Sequence, residues 1–160
     1  MNFLRARTVF AFSAVAPLGA VSAALFTQHV LGMQPCPWCV FQRLIFLVIA
    51  VWGLLGVLWS AGFGRRLAGT LALVTALGGM SAALWHYFVA ASSVSCNQTL
   101  ADRVVSGWLG LDALLPEVFE ARASCADAAA KLLGVPYPLW SLSLFTLLAL
   151  ASLVVLRLRR

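Results

Sequence analysis

The sequence predicts an all-α, polytopic membrane protein: a four-transmembrane-helix bundle with a long outer loop that carries a short surface helix. Three observations predict it. Of 160 residues, 62% are hydrophobic and only 10% charged, whereas a soluble domain runs nearer half apolar and about a quarter charged. The charges are also unevenly spaced, with no Asp, Glu, Lys or Arg in residues 8–42, 44–64, 67–101 or 132–156. About 20 apolar residues cross a bilayer as a helix, so each of these stretches holds a span. Finally, the arginines outside the spans fall mostly on one side. The same composition excludes a disordered chain, which needs low hydrophobicity and high net charge. It also argues against a nucleic-acid partner, because the few charges behind the net +6 cannot form a continuous basic face.

Taken in order, the spans are expected near 10–30, 40–61, 67–91 and 139–156, in a single integral membrane domain covering 1–160. After Val30 the chain is punctuated by Gly32, Pro35 and Pro37, which leaves too little length for a further crossing. The third charge-free stretch ends in a polar run from Ser92 to Thr99 that reads as loop. The start of the chain also imitates a secretory signal, with Arg5 and Arg7, an apolar run, and Val21-Ser22-Ala23 as a small-residue cleavage site. The run from Thr8 to Phe26 exceeds the usual apolar core of about 7–15 residues, so we read it as an uncleaved span.

Orientation follows from the arginines. Arg5 and Arg7 precede the first span, Arg65 and Arg66 join the second to the third, and Arg157, Arg159 and Arg160 follow the fourth. In a four-span chain all of these lie on one face, and short basic loops stay cytoplasmic. Both termini are therefore expected inside, with outer loops at 31–39 and 92–138. The five acids, Asp102, Asp112, Glu117, Glu120 and Asp127, all fall in the long outer loop. Within it, Trp108, Leu109, Leu111, Leu114, Leu115, Val118 and Phe119 recur at three- and four-residue spacings. That pattern suits an amphipathic helix on the membrane surface; a small loop core packed onto the helix ends fits it equally. Gly53 and Gly56, or Gly78 and Gly79, are candidates for close helix approach.

The four cysteines, Cys36, Cys39, Cys96 and Cys125, all lie on the outer side of this topology. Thiols there meet oxidising conditions, so two disulfides are expected. By spacing, Cys36-Pro37-Trp38-Cys39 closes on itself, leaving Cys96 to pair with Cys125. A C-x-x-C pair is exchange-prone and suits redox work better than bracing. A zinc site would want a second ligand pair of similar compactness, which Cys96 and Cys125 do not supply, so no metal is expected. Covalent haem needs His directly after the second Cys, where this chain has Val40. Purely structural disulfides are the remaining alternative.

Arg43 is the only charge inside an expected span, four residues after Cys39 and hence on the same helix face. A charge at that depth is a functional-site hypothesis by default; the competing reading is an anchor that snorkels to the headgroups. In the functional reading the cation and the helix amino terminus favour a thiolate at Cys39 and stabilise negative charge on an electron acceptor beside it. His86, in the outer third of the third span, is a candidate for the same pocket or a structural residue. His29 reads more simply as structural. Gln28 and Gln42 are polar residues of the same layer, and Trp38 reads as an interfacial aromatic.

These features together resemble the DsbB family, the bacterial quinone-linked oxidases that regenerate the periplasmic thiol oxidase DsbA. The likeness covers nearly the whole chain. It rests on Gln28-His29-Val30 running into Pro35-Cys36-Pro37-Trp38-Cys39-Val40-Phe41-Gln42-Arg43, on Pro116-Glu117-Val118-Phe119 leading to Ser124-Cys125-Ala126, and on Gly134-Val135-Pro136-Tyr137-Pro138-Leu139-Trp140. Vitamin K epoxide reductase relatives share the bundle, but their loop cysteines precede the C-x-x-C. The resemblance implies that Cys39 faces the quinone, with Cys36 as its exchanging partner, and that Arg43 is the quinone-site cation. Cys96 would form the mixed disulfide with the soluble oxidase, and Cys125 would be its partner. The family's third-span histidine maps onto His86, and Gln42 stands where some members carry an acid. The expected activity is a dithiol:quinone oxidoreductase of the bacterial inner membrane, with its active cysteines on the periplasmic side. Its partners would be a DsbA-like oxidase and ubiquinone or menaquinone. A couple near the −120 mV of DsbA needs such an acceptor, because glutathione-type couples near about −200 mV would run the reaction backwards.

Overall fold

The computed structural model describes residues 2–59, 62–90, 99–126 and 131–158. Its elements are α1 (Asn2–Val30), α2 (Pro37–Leu58), α3 (Gly62–Phe88), α4 (Leu100–Asp102) running into a π-helical segment (Arg103–Trp108), α5 (Leu111–Leu114), α6 (Pro116–Phe119), a two-stranded hairpin of β1 (Lys131–Leu132) and β2 (Val135–Pro136), and α7 (Tyr137–Arg157). Among the described residues four helices are long and apolar enough to cross a membrane: Leu4–Val30, Pro37–Leu58, Gly62–Phe88 and Tyr137–Arg157. This is the all-α, four-span architecture expected from the charge gaps.

The four long helices form a closed ring. α1 packs on α2, α2 on α3, α3 on α7, and α7 returns to α1. In lipid, apolar area gives no net drive for helices to associate, so close backbone approach and fitted side chains must hold the bundle. Two of the glycines flagged by the sequence supply the approach between α1 and α2. A Cβ on Gly53 would lie 2.6 Å from the Ala14 backbone nitrogen, and one on Gly56 would overlap the Phe10 ring. Between α3 and α7 the room is made by Gly79, where a Cβ would overlap Phe145. The Phe145 ring stacks on Phe46 of α2, with centroids 4.1 Å apart. Gly78, its neighbour in sequence, has open space around it. Pro17 lies inside α1 and is fully buried, a placement that membrane helices tolerate.

Helix ends differ from expectation where residue chemistry overrides the apolar count. α2 begins at Pro37 rather than near residue 40, because Cys36 acts as N-cap in extended backbone and Pro37 occupies the first helical position, where its missing N–H costs nothing. The C-x-x-C therefore belongs to the first turn of a transmembrane helix instead of to a loop. The surface helix expected across 108–119 is broken into pieces. Gly110 adopts φ +58° and Pro116 restarts the chain in α6. The resulting segments fit the reading of a small loop core: Val105 and Phe119 bury against Val40, while Trp108, Leu109, Leu114 and Leu115 are exposed.

Candidate functional site

The site forms at the amino-terminal end of α2. The Val40 amide makes the first helical bond to the Cys36 carbonyl at 3.0 Å, and the Cys36 Sγ accepts from the Cys39 amide at 3.4 Å. This cap turns both sulfurs to the same side, 3.1 Å apart. A disulfide bond is about 2.05 Å long, and the two cysteines are free. The two cysteines expected from spacing to form a disulfide are held side by side, unbonded and in hydrogen-bond contact. Cys36 is fully buried, whereas Cys39 is partly exposed.

His86 and Gln42 close one flank. The His86 Nε2 lies 3.4 Å from the Cys36 Sγ, and its Nδ1 lies 3.2 Å from the Gln42 side-chain nitrogen. The imidazole is 1% exposed. His86 thus contacts Cys36 and Gln42 and lines neither cavity that Arg43 borders. His29 is elsewhere: it sits on the surface, 3.5 Å from a Glu117 carboxylate oxygen.

Arg43 closes the other flank and does not snorkel. It is 5% exposed, and one guanidinium nitrogen donates to Gln28 Oε1 at 2.8 Å and to the Val118 carbonyl at 2.9 Å. Gln28, itself buried, donates from its amide nitrogen to the Glu117 carbonyl at 3.2 Å. The buried cation is thereby satisfied by polar groups of α1 and α6, as a charge in a low-dielectric layer requires. The pair ties the outer loop onto the bundle. Sequence reasoning placed Gln28 in this layer but missed its bond to Arg43. The signal was the Pro116–Phe119 segment, which offers backbone carbonyls rather than a recognisable side chain.

A second tie brings the loop to the C-x-x-C. The Arg122 and Ala123 amides both donate to the Pro35 carbonyl, at 3.0 and 3.2 Å, next to Cys36. Cys125 is disulfide-bonded and buried in the same apolar cluster as Cys36. On the surface of this loop the Arg122 guanidinium reaches Glu120 at 2.8 Å and Glu117 at 3.4 Å. The hydrogen bond and charge of Glu120 raise its pKa further from the ordinary value. Cys96 lies outside the described residues.

Two cavities meet at Cys39. One, of about 270 Å³, runs between α1, α2 and α7, with Cys39, Gln42 and Arg43 at one end and apolar residues such as Ala20, Ala24 and Leu144 along it. The other, of about 500 Å³, is lined by the loop residues Met33, Gln34, Pro35, Arg122 and Ala123. Thr27, Cys39, Arg43 and Tyr137 border both. Thr27 and Tyr137 carried no functional signal in the sequence, because a Thr near a span end and a Tyr at an interface are ordinary. Cys39 therefore borders both a cavity between the helices and one walled by the outer loop.

Comparison with known proteins agrees with this arrangement. Residues 6–155 match the family model described as Disulfide bond formation protein DsbB. The chain is 40% identical over 155 residues to Disulfide bond formation protein B of Ralstonia nicotianae, covering 96% of this chain and 95% of that protein. It is 35% identical to Disulfide bond formation protein B 1 of Pseudomonas savastanoi pv. phaseolicola, covering 89% and 85%. The corresponding protein of Xanthomonas axonopodis pv. citri is 34% identical, with coverage of 92% and 88%. A C-x-x-C at the head of the second of four spans, a disulfide-bonded cysteine in the loop packed upon it, and a match running almost end to end place the chain in the DsbB family of disulfide bond formation proteins.

Proposed function

We propose that the chain is a dithiol:quinone oxidoreductase of the bacterial inner membrane. In this reading it reoxidises a periplasmic DsbA-like thiol oxidase and passes the electrons to a membrane quinone. The observation that carries the proposal is the position of Cys39 between an apolar cavity and a loop-lined one, with buried Arg43 bordering both. The quinone fits the first cavity by chemistry: an apolar passage suits its tail, and Cys39, Gln42 and Arg43 offer a sulfur, an amide and a cation at one end. When bound it supplies an acceptor for two electrons and two protons.

The protein's own residues then divide the work. A thiolate of the soluble partner attacks Cys96, breaking a Cys96–Cys125 disulfide, and the partner's second thiol releases itself by closing its own disulfide. Cys96 and Cys125 are left as thiols. Exchange with the Cys36–Cys39 disulfide reoxidises the loop pair and leaves Cys36 and Cys39 as a dithiol. Packing of Cys36 and Cys125 in one buried cluster supports that relay. Cys39, the more accessible sulfur, faces the acceptor, and loss of two electrons and two protons restores the Cys36–Cys39 bond. Arg43 holds positive charge beside the acceptor, and the apolar cavity wall excludes water. The topology that accompanies this reading has both termini in the cytoplasm and the cysteines on the periplasmic side.

Trapping tests the exchange half. In Cys125→Ala the Cys96 thiolate has no disulfide of its own, so it is mixed with an excess of the oxidised partner: Cys96 attacks the partner's disulfide, one partner sulfur leaves as a thiolate, and a mixed disulfide should accumulate on a non-reducing gel. Formation of the same adduct by Cys96→Ala, or of none by Cys125→Ala, would contradict the assigned order.

A further inference from the structure

Cys36, Cys39 and His86 have a second capacity that electron transfer does not use. Their two sulfurs and one imidazole nitrogen all lie within 4.8 Å of one another, and they come from two different transmembrane helices. Tetrahedral zinc with Zn–S of about 2.3 Å and Zn–N of about 2.0–2.1 Å implies an S···N edge of about 3.6 Å and an S···S edge of about 3.8 Å. The Cys36 Sγ to His86 Nε2 separation of 3.4 Å already matches the first edge. The sulfurs, at 3.1 Å, need to part by about 0.7 Å, within reach of a small rotation of the partly exposed Cys39 side chain.

From this juxtaposition we propose that the reduced C-x-x-C and His86 form a three-ligand site for a soft divalent cation of the zinc or cadmium class, which locks the dithiol and stops its reoxidation.

The chemistry balances without any change of oxidation state. Each thiol gives one proton to solvent, the two thiolates neutralise the dication, and the resulting complex carries no net charge into an apolar surround. A fourth position is left for water, as in other three-ligand zinc sites. Gln42 is the positioning residue for the imidazole. A half-turn of its side-chain amide sets Oε1 against the His86 Nδ1–H and leaves the Nε2 lone pair directed at the metal, the arrangement common around zinc-bound histidines. The oxidised pair has no thiolate to offer, so the site exists in one redox state only. Such a site needs no second cysteine pair, because its third ligand is a histidine 47 residues past Cys39 in the chain. It does not depend on which acceptor takes the electrons, since binding is read without turnover.

The test uses full-length protein in detergent carrying Cys96→Ser and Cys125→Ser, so that the C-x-x-C holds the only thiols. After reduction with a phosphine it is titrated with Cd²⁺, and thiolate-to-cadmium charge-transfer absorption is followed. One cadmium per reduced chain is expected, with none after the same sample is oxidised, and Zn²⁺ should displace it. His86→Ala should weaken binding at least tenfold, and Gln42→Ala by about 10–100-fold, the range for loss of a group that orients a ligand. Equal binding by reduced and oxidised protein, or by His86→Ala and its parent, would overturn the proposal. The redox comparison is made on one polypeptide and decides even where a substitution harms folding.

Discussion

Arg43 was conspicuous in the sequence because a charge inside an apolar span is costly, but its partners were not. Gln28 is 15 residues away and Val118 is 75, and one of the two contributes only a backbone carbonyl. Removing the guanidinium leaves the buried Gln28 oxygen without its donor, a cost to stability of about 1–3 kcal/mol, and takes the positive charge from beside the acceptor. On the proposed function Arg43→Ala should raise the quinone KM at least about tenfold, the factor given by 1.4 kcal/mol of lost binding, while exchange at Cys96 persists. Arg43→Lys should fall between the two, since an ammonium keeps the charge but loses the planar fork. Steady-state quinone kinetics separate these outcomes; an unaltered KM in Arg43→Ala would remove Arg43 from the acceptor site. The dithiol yields a second prediction at this scale. Cys36 is fully buried, whereas Cys39 is partly exposed and borders both cavities. Brief iodoacetamide treatment of the reduced protein should then label Cys39 first, as peptide mapping can show, and preferential labelling of Cys36 would contradict that assignment.

Among elements, the long helices were legible because charge gaps and apolar length depend on local sequence alone. Their contacts were only half legible. Glycine pairs announced close approach, yet nothing local distinguishes Gly78 from Gly79, which point about 100° apart at 3.6 residues per turn. The structure makes the choice, and substitution checks it. Gly53→Val would drive a side chain into the Ala14 backbone, which cannot yield as a side chain can. It should cost at least the roughly 1–3 kcal/mol typical of overpacking. Gly79→Ala must displace Phe145 from its stack on Phe46 and should also destabilise. Gly78→Ala meets open space and should be neutral or slightly stabilising. Thermal unfolding in detergent ranks the three, and a Gly78→Ala loss as large as that of Gly79→Ala would contradict the packing. The surface helix shows the opposite lesson. Its apolar spacing was real, but Gly110 and Pro116 were stronger signals than periodicity and cut it into short pieces.

At the scale of the whole molecule, the apolar composition and the segregated charges gave the membrane bundle, and the C-x-x-C with Arg43 gave the place of the chemistry. What sequence could not supply was how the long loop returns to the bundle: the Pro35 carbonyl taking two amides from 122–123, and Arg43 with Gln28 gripping α6. Each of these bonds ends on a backbone carbonyl far away in the chain, so no residue type at the acceptor announces it. They hold the disulfide-bonded Cys125 in the buried cluster that contains Cys36, which under the proposed function would bring exchange with the soluble partner and oxidation by the quinone into one small volume. The most direct test of that account mixes purified protein with a reduced DsbA-like oxidase and a ubiquinone analogue without oxygen, and follows both products together. The account predicts one quinone reduced for each partner disulfide formed, and no quinone reduction in Cys39→Ala. Partner oxidation without matching quinone reduction, or undiminished turnover in Cys39→Ala, would contradict it.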